Sequence, residues 1–280
     1  MKIGIHLSSF TPSWNDDIIP FIKASADIGY EAVEIPLMDP DSFDYQKVAS
    51  ELRFHALCCT CGTSVTILED PSSNDSEIQK AGIRRLKKCI DICNYLETDC
   101  LGGVLYAPWG QHKRRIGAAS NREKAIESFG EVSEYARQKG VLLSLEILNR
   151  YESYFMNTID EGIEFLDQLN QPNVKLHFDT FHAHIEEKSI ADAILKGGQH
   201  IAHVHLCDNN RAAPGTGMID FTKVRDALRQ IGFDRYVMVE NFVIPDSEAG
   251  EQVCIWRKTA ESPFHNAQLA YQFVSTCFNS

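Results

Sequence analysis

The 280-residue sequence lacks any apolar run long enough to cross a bilayer, which removes a membrane-spanning helix from the possible roles. It also lacks an excess of basic charge. Its 39 acidic and 27 basic side chains leave a net charge of -12, and the lysines and arginines are scattered apart from a short "HKRR" at His112 to Arg115. A nucleic-acid partner would call for a concentrated basic footprint. The first strand-like turn, "GIHLSSFTPSW", has no glycine fingerprint for a pyrophosphate, and no P-loop spacing occurs elsewhere, so no nucleotide cofactor is indicated. The N-terminal "MKIGIHLSSF" has no apolar core of signal-peptide length and no small-residue cleavage site, and a cytoplasmic protein is expected. No long linker or Pro/Gly/Ser-rich break divides the chain, so residues 1–280 are expected to form a single domain.

What is present is an ordinary globular composition, 44% hydrophobic and 24% charged, able to bury a large core. Nine cysteines need an account. Cys58, Cys59 and Cys61 lie in a strand-like run where side chains alternate between faces, so Cys58 and Cys61 point to opposite sides and make a poor chelate. Cys89 and Cys93 share the apolar face of a helix, and Cys100, Cys207, Cys254 and Cys277 stand singly. Buried reduced thiols are the expectation.

Apolar periodicity alternates between short β-rich runs and helical segments. The strand candidates are Lys2–Leu7, Ala32–Leu37, His55–Cys61, Cys100–Tyr106, Val141–Ile147, Val174–Asp179, Ile201–Cys207 and Tyr236–Asn241. Amphipathic segments such as "DDIIPFIKASADIG" and "FTKVRDALRQIG" lie between them, several closed by a glycine suited to a helix C-cap. Eight strand–helix units without a break favour an α/β fold of the (β/α)8 TIM-barrel type over an open doubly wound sheet.

A barrel places its chemistry where strands end and βα loops begin. Strands five to eight end in "LSLEILNRYE", "LHFDTFH", "HVHLCDNNR" and "MVENF", each delivering one metal-competent side chain: Glu146, Asp179, His205 and Glu240. Three carboxylates converging on a barrel mouth would repel one another and stay poorly solvated unless a cation compensates them. Three oxygen donors and one imidazole suit Mn²⁺, Mg²⁺ or Co²⁺ better than a structural zinc. The structural alternative takes each residue singly. Glu146 or Glu240 would pair with Arg150, Arg211 or Lys175, Asp179 would cap a helix, and His205 would be a core histidine.

In that order and spacing, "LSLEILNRYE", "HFDTFHAHIEE", "HVHLCDNNRAAPGTG" and "MVENF" resemble the ketose 3-epimerases, the D-tagatose, D-allulose (psicose) and L-ribulose 3-epimerase group of the xylose-isomerase-like barrels. The likeness runs from the N-terminal strand and Trp14 to "IWRKTAESPFHNAQLA" near the C-terminus. It implies that Glu146, Asp179, His205 and Glu240 hold one divalent ion per subunit, manganese first, cobalt or magnesium otherwise. It implies that Glu152, His182 and Arg211 bind the O1 to O3 end of a free ketose, and that Trp14, Trp109 and Phe242 wall the sugar. Glu146 and Glu240 would exchange the C3 proton on opposite faces of a cis-enediolate. A homodimer or homotetramer is likewise implied, with about 251–280, rich in Trp256, Phe264, Tyr271 and Phe273, contributing to subunit contacts.

His6 ends strand one and is a further candidate for the mouth. Glu34 either orients a neighbour or pairs with a lysine, and His203 shares a face with His205. The sequence departs from the family's usual residues at His184, Cys207-Asp208 and Asn241, which bears on substrate choice. Rival reactions on the same barrel are isomerisation of an aldose to a ketose, dehydration of a keto-cyclitol and cleavage of a 3-oxo-glycoside. A repair nuclease would need more histidine ligands and a basic surface, and a non-catalytic sugar binder would have no use for two opposed carboxylates.

Overall fold

A computed structural model describes residues 1–110 and 118–279, so the "HKRR" cluster lies outside the described residues. Eight strands, β1 (Lys2–His6), β2 (Ala32–Pro36), β3 (Cys58–Ser64), β4 (Cys100–Val104), β5 (Leu142–Glu146), β6 (Val174–Asp179), β7 (Ile201–Leu206) and β8 (Tyr236–Val239), pair in sequence order and all in parallel. β8 returns to β1 and closes the barrel. The expected (β/α)8 architecture is therefore the one observed.

Helices α1 (Ile19–Ile28), α2 (Tyr45–Phe54), α3 (Ser76–Tyr95), α4 (Ala118–Gln138), α5 (Ile159–Leu169), α6 (Thr180–Glu186), α7 (Ile190–Gly197) and α8 (Phe221–Gln230) lie between the strands. Their starts are set by side-chain caps: Asp44, Asp75, Thr158, Ser189 and Asp220 each accept a free backbone N–H of the first turn. α1 ends at Gly29, at φ 113°, a conformation a side chain would strain.

The largest departure from the expected strand boundaries is in the third strand. The third strand begins at Cys58, three residues later than the apolar run beginning at His55. α2 runs on to Phe54, His55 caps it, and Ala56 turns at φ 54°. The strand then continues through the polar Gly62-Thr63-Ser64, because Gly62 to Ser64 pair with Gly102 to Val104 of β4. The apolar runs also overshoot β1, β2, β4, β5, β7 and β8 by one or two residues at an end, and Glu240 is the first residue beyond β8.

Alternation sends Gly4, Ala32, Glu34, Thr60, Gly62, Gly102, Ser144, His177, His203 and Met238 to the inside of the barrel and the branched aliphatics to the helix layer. Small residues make room for large ones. A Cβ on Gly62 would come within 2.6 Å of Glu34 Oε1, so the Glu34 side chain depends on that glycine. β6 and β7 pair with a register shift: Leu176 faces Ile201, but His177 faces His203 and Asp179 faces His205. The extra residue, Ala202, turns Ile201 toward Gly197 in the helix layer while His203 and His205 point inward.

The cysteines are free thiols, six of them buried, and among the described residues none joins a metal-competent cluster. No described helix is long and apolar enough to cross a membrane. Near the C-terminus, α9 (Glu248–Gln252) precedes α10 (Pro263–Asn279), which packs on the barrel: the Tyr30 hydroxyl donates to the Ala267 carbonyl at 2.8 Å, Tyr271 meets Tyr30, and Phe273 meets Phe221. Tyr271 and Phe273 are thus engaged within the chain; Phe264 packs on Phe10 and Phe21 yet stays partly open to solvent, and Trp256 is exposed.

Candidate active site

The C-terminal ends of the strands open onto a recess lined by His6, Trp14, Glu34, Trp109, Glu146, Glu152, His177, His182, His205, Arg211, Glu240 and Phe242. Of the residues expected there, only Asp179 does not line the recess, and it stands in register with His205, which does. Its carboxylate is split between two jobs. Oδ1 accepts the N–H groups of Phe181 and His182 at the start of α6, as a helix cap does, while Oδ2 is buried without a hydrogen bond, 3.9 Å from Arg211 Nη1. His205 Nδ1 is likewise buried and unpartnered by hydrogen bonding, 3.9 Å from Asp179 Oδ2.

Glu146, Asp179 and His205 each bring one donor atom within 4.8 Å of the others. Glu240 stands beside them with Oε1 at 3.5 Å from His205 Nδ1, its Oε2 held by Arg211 Nη1 at 3.2 Å. Two orphaned buried donors, flanked by two further carboxylates, fit a divalent cation: a buried oxygen or nitrogen lone pair without a partner is costly, and an ion would satisfy all of them together.

Beneath His205 lies Glu34, wholly buried, whose Oε2 accepts the Nε2–H of His203 at 2.7 Å and of His205 at 2.9 Å. Burial opposes ionisation of Glu34, but the two imidazoles outweigh it and hold the carboxyl well below the usual range. An ionised Glu34 holds a proton of His205 on Nε2, so Nδ1, which faces Asp179 and Glu240, is the nitrogen that would bind an ion once its own proton is displaced. Glu34 therefore orients neighbours rather than pairing with a lysine. Replacing it by glutamine is expected to weaken divalent-ion binding by about 10- to 100-fold, read by equilibrium dialysis with Mn²⁺. Unchanged ion affinity in Glu34→Gln would remove Glu34 from the site's support.

The substrate side is built from the βα loops. His182, on the first turn of α6, accepts the Asn149 N–H through Nδ1 at 3.2 Å, which leaves Nε2 facing Glu146 Oε1 at 3.8 Å. Glu152 accepts from Asn149 Nδ2, Trp109 Nε1 and Arg211 Nη2 at 3.0, 3.1 and 3.2 Å. The Arg211 guanidinium lies over the Phe181 ring at 3.9 Å and bridges Glu152 to Glu240, and its buried Nε has no partner and is free to donate to a ligand oxygen.

Arg211 is at φ 63°, a strained backbone for a branched-off side chain, and the loop that imposes it is organised by Asp208. That buried carboxylate accepts the N–H groups of Asn209, Gly215, Gly217, Met218 and Ile219. The departure from the family's residues at this point is thus structural in use. Trp14 meets Trp109 and Phe242 edge to face at 5.7 and 5.6 Å, and Val253 and Ile255 back them, forming one apolar wall. His6 lines the recess, its Nδ1 accepting the Ser8 N–H. His184 is exposed on α6 and His177 lies in the barrel interior. Arg150, a possible partner of Glu146, instead pairs with Glu186.

Nothing in the residue pattern singles out Asn149, which holds both His182 and Glu152, nor Met38, Ser64, Leu148 and Val253 in the recess wall. Asn149 could have been found from its place between Glu146 and Glu152. Met38, Leu148 and Val253 lie outside the strands and helices and Ser64 ends β3, and barrel closure is what brings them to one recess.

The electrostatics of the two outer carboxylates diverge. Burial, then the proximity of Glu240 and Asp179, push Glu146 well above the ordinary carboxylate range despite His205 and Arg211. Around Glu240, burial acts in the same sense, but His205, His6 and Arg211 overcome it and bring the group down to about 2. One carboxyl thus tends to hold a proton while the other is ionised, the pairing that acid–base chemistry at one centre uses.

The xylose isomerase-like TIM barrel family model matches residues 22–261. The D-psicose 3-epimerase of Enterocloster bolteae is 32% identical over 92% of this chain and 87% of its own length. The ketose 3-epimerase of Arthrobacter globiformis is 34% identical over 92% and 90%. The crystal structure of a D-allulose 3-epimerase from Methylomonas sp. in complex with D-allulose superposes with a TM-score of 0.92 at 30% identity, over 99% of this chain and 96% of that one. The chain accordingly belongs to the ketose 3-epimerases, carbohydrate isomerases of the xylose isomerase-like TIM-barrel class.

Proposed function

We propose that the protein inverts C3 of a free ketose by moving a proton between Glu146 and Glu240 through a cis-enediolate. The observation that carries this reading is the placement of Glu146 at the end of β5 and Glu240 just past β8, on different sides of the orphaned Asp179 Oδ2 and His205 Nδ1. A divalent ion held by Glu146, Asp179, His205 and Glu240, with manganese proposed ahead of cobalt or magnesium, would polarise the C2 carbonyl and acidify the C3 hydrogen.

The chain's own residues do the rest. Arg211 Nε, His182 Nε2 and Glu152 bind the O1 to O3 end and set C3 between the two carboxylates. The ionised carboxylate removes the C3 proton, the electron pair passes into the enediolate, and the protonated carboxyl delivers a proton to the opposite face. The two then stand with roles exchanged, ready for the other epimer. Trp14, Trp109 and Phe242 cover the sugar and limit access of water to the carbanionic centre. An assembly of two or four copies, using the segment 251–280 in which Trp256 and Phe264 stay exposed, belongs to the same reading.

The test is proton exchange. In D₂O, deuterium is expected to enter C3 of D-fructose, D-tagatose or L-ribulose together with formation of the 3-epimer, followed by NMR. No exchange at C3 of any ketose overturns the proposal, and an unsaturated product would point to elimination instead.

A further inference from the structure

The recess has two halves of different chemistry, and the order of the strands decides which half meets which end of a bound sugar. In a barrel closed in sequence order, β6 and β7 lie on one side of the line from Glu146, at the end of β5, to Glu240, just past β8. β1 to β4 lie on the other. His182 follows β6 and Arg211 follows β7, with Glu152 held to Arg211 at 3.2 Å. A ketose gripped there by its O1 to O3 end, with C3 between the two carboxylates, therefore sends C4 to C6 toward β1 to β4.

That half offers few hydrogen-bonding side chains. Trp14, Met38, Val104 and Trp109 line it, joined by Phe242, which packs on Trp14. Both indole N–H groups are spent: Trp14 Nε1 donates to Gln252 Oε1 and Trp109 Nε1 to Glu152 Oε2, each at 3.1 Å. Thr63 Oγ1 donates to the Leu37 carbonyl at 2.7 Å. His6 stands beside the ion ligands, its ring 5.8 Å from that of His205.

Ser64 is placed differently. Alternation puts it on the inner face of β3 after Thr60 and Gly62, opposite Val104 of β4, where the strands give way to the mouth. It is half-buried, and among the described residues its hydroxyl meets only the Met38 thioether, a weak acceptor, at 3.9 Å. Gly62 and Gly103 leave the wall beside it without side chains, and a Cβ on Gly103 would fall 2.2 Å from the Thr63 carbonyl oxygen. The serine hydroxyl thus faces open space in an apolar half of the recess.

We infer that Ser64 is a specificity residue, which hydrogen-bonds one hydroxyl of the C4 to C6 part of the ketose. The orientation of the sugar rests on the epimerase reading above. A sugar hydroxyl is both a donor and an acceptor and replaces the thioether contact with a stronger partner. A ketose lacking that hydroxyl leaves Ser64 opposite carbon, and the site discriminates against it.

The test compares the wild type with Ser64→Ala at saturating Mn²⁺. The substrates are the ketohexose turned over fastest and its three analogues lacking the hydroxyl on C4, C5 or C6. Removal of one of the three hydroxyls is expected to lower kcat/KM of the wild type by about fivefold and to cost Ser64→Ala nothing. The other two removals should cost both proteins equally, and Ser64→Thr should keep the wild-type pattern. Comparing the two proteins on each sugar cancels differences between the sugars' own ring forms in solution. All three penalties unchanged in Ser64→Ala, or no penalty in the wild type, overturns the inference. If the wild type binds ketoses without exchanging C3, the epimerase reading falls, and dissociation constants for the same four sugars, measured by calorimetry, still report on Ser64. Absence of binding by any ketose overturns both.

Discussion

Glutamine in place of Glu240 is expected to lower kcat for the preferred ketose by about 10³-fold, because a general acid–base partner contributes roughly 10²- to 10⁴-fold and an amide neither accepts nor returns the C3 proton. Arg211 Nη1 would still find an oxygen at position 240, so the substrate end of the recess keeps its shape. Glu240 also faces His205 Nδ1, and loss of its charge weakens ion binding as well. The two effects separate when turnover is measured at saturating Mn²⁺ with the ion content determined on the same sample. A base role leaves activity lost at full occupancy. It also leaves a signature that ligand loss alone does not give: Glu146, still in place, exchanges the C3 hydrogen of one epimer with solvent deuterium but cannot complete inversion. Retention of more than about half the turnover at full occupancy would remove Glu240 from the chemistry.

Ion uptake is expected to release about one proton near neutral pH. Without an ion, His205 is buried, which alone would lower its pKa, yet Glu34 and Glu240 hold it well above its ordinary value, and Glu146 is also raised. Both groups then carry protons at pH 7, and an ion must displace the one on His205 Nδ1, while Glu146 keeps the proton it passes to C3. The sign follows directly. As pH falls, protons compete better and affinity drops by about tenfold per pH unit for each proton displaced. As pH rises past the raised values, the dependence flattens. Calorimetric titration with Mn²⁺ in two buffers of different ionisation enthalpy measures the number released. A count of zero at pH 7 would contradict the protonation assigned to His205. The acid limb of the activity profile should also recede when excess Mn²⁺ is added, because that limb reports occupancy.

The chain announced its barrel and the four donors on strands five to eight because both follow from local order: alternating periods mark the elements, and strand ends mark the mouth. Relations between distant strands were not legible. Glu34 and His203 are 169 positions apart, and only closure of the barrel brings β2 opposite β7 across the interior. The register shift at Leu176 and His177 levels Asp179 with His205, yet "IAHVHLC" reads as an unbroken alternation that would put Ile201 on the same face as the histidines. The third strand was misplaced because "HALCC" is apolar in both a helix end and a strand, and the backbone reversal at Ala56 carries no glycine to mark it. Asn149 was passed over for a similar reason, since its partners His182 and Glu152 converge on it only after folding.

The loop that carries Arg211 is shaped by main-chain donors gathered on the single carboxylate of Asp208, while side chains such as Met218 point to solvent. Loop shape and loop surface are therefore under separate control. Substitutions at the outward positions can accumulate without moving the guanidinium, whereas loss of Asp208 releases every one of those donors together. For directed evolution this marks out a tolerant rim around a fixed anchor: diversity is best introduced at outward positions of the loop such as Met218, with Asp208 and Arg211 left untouched.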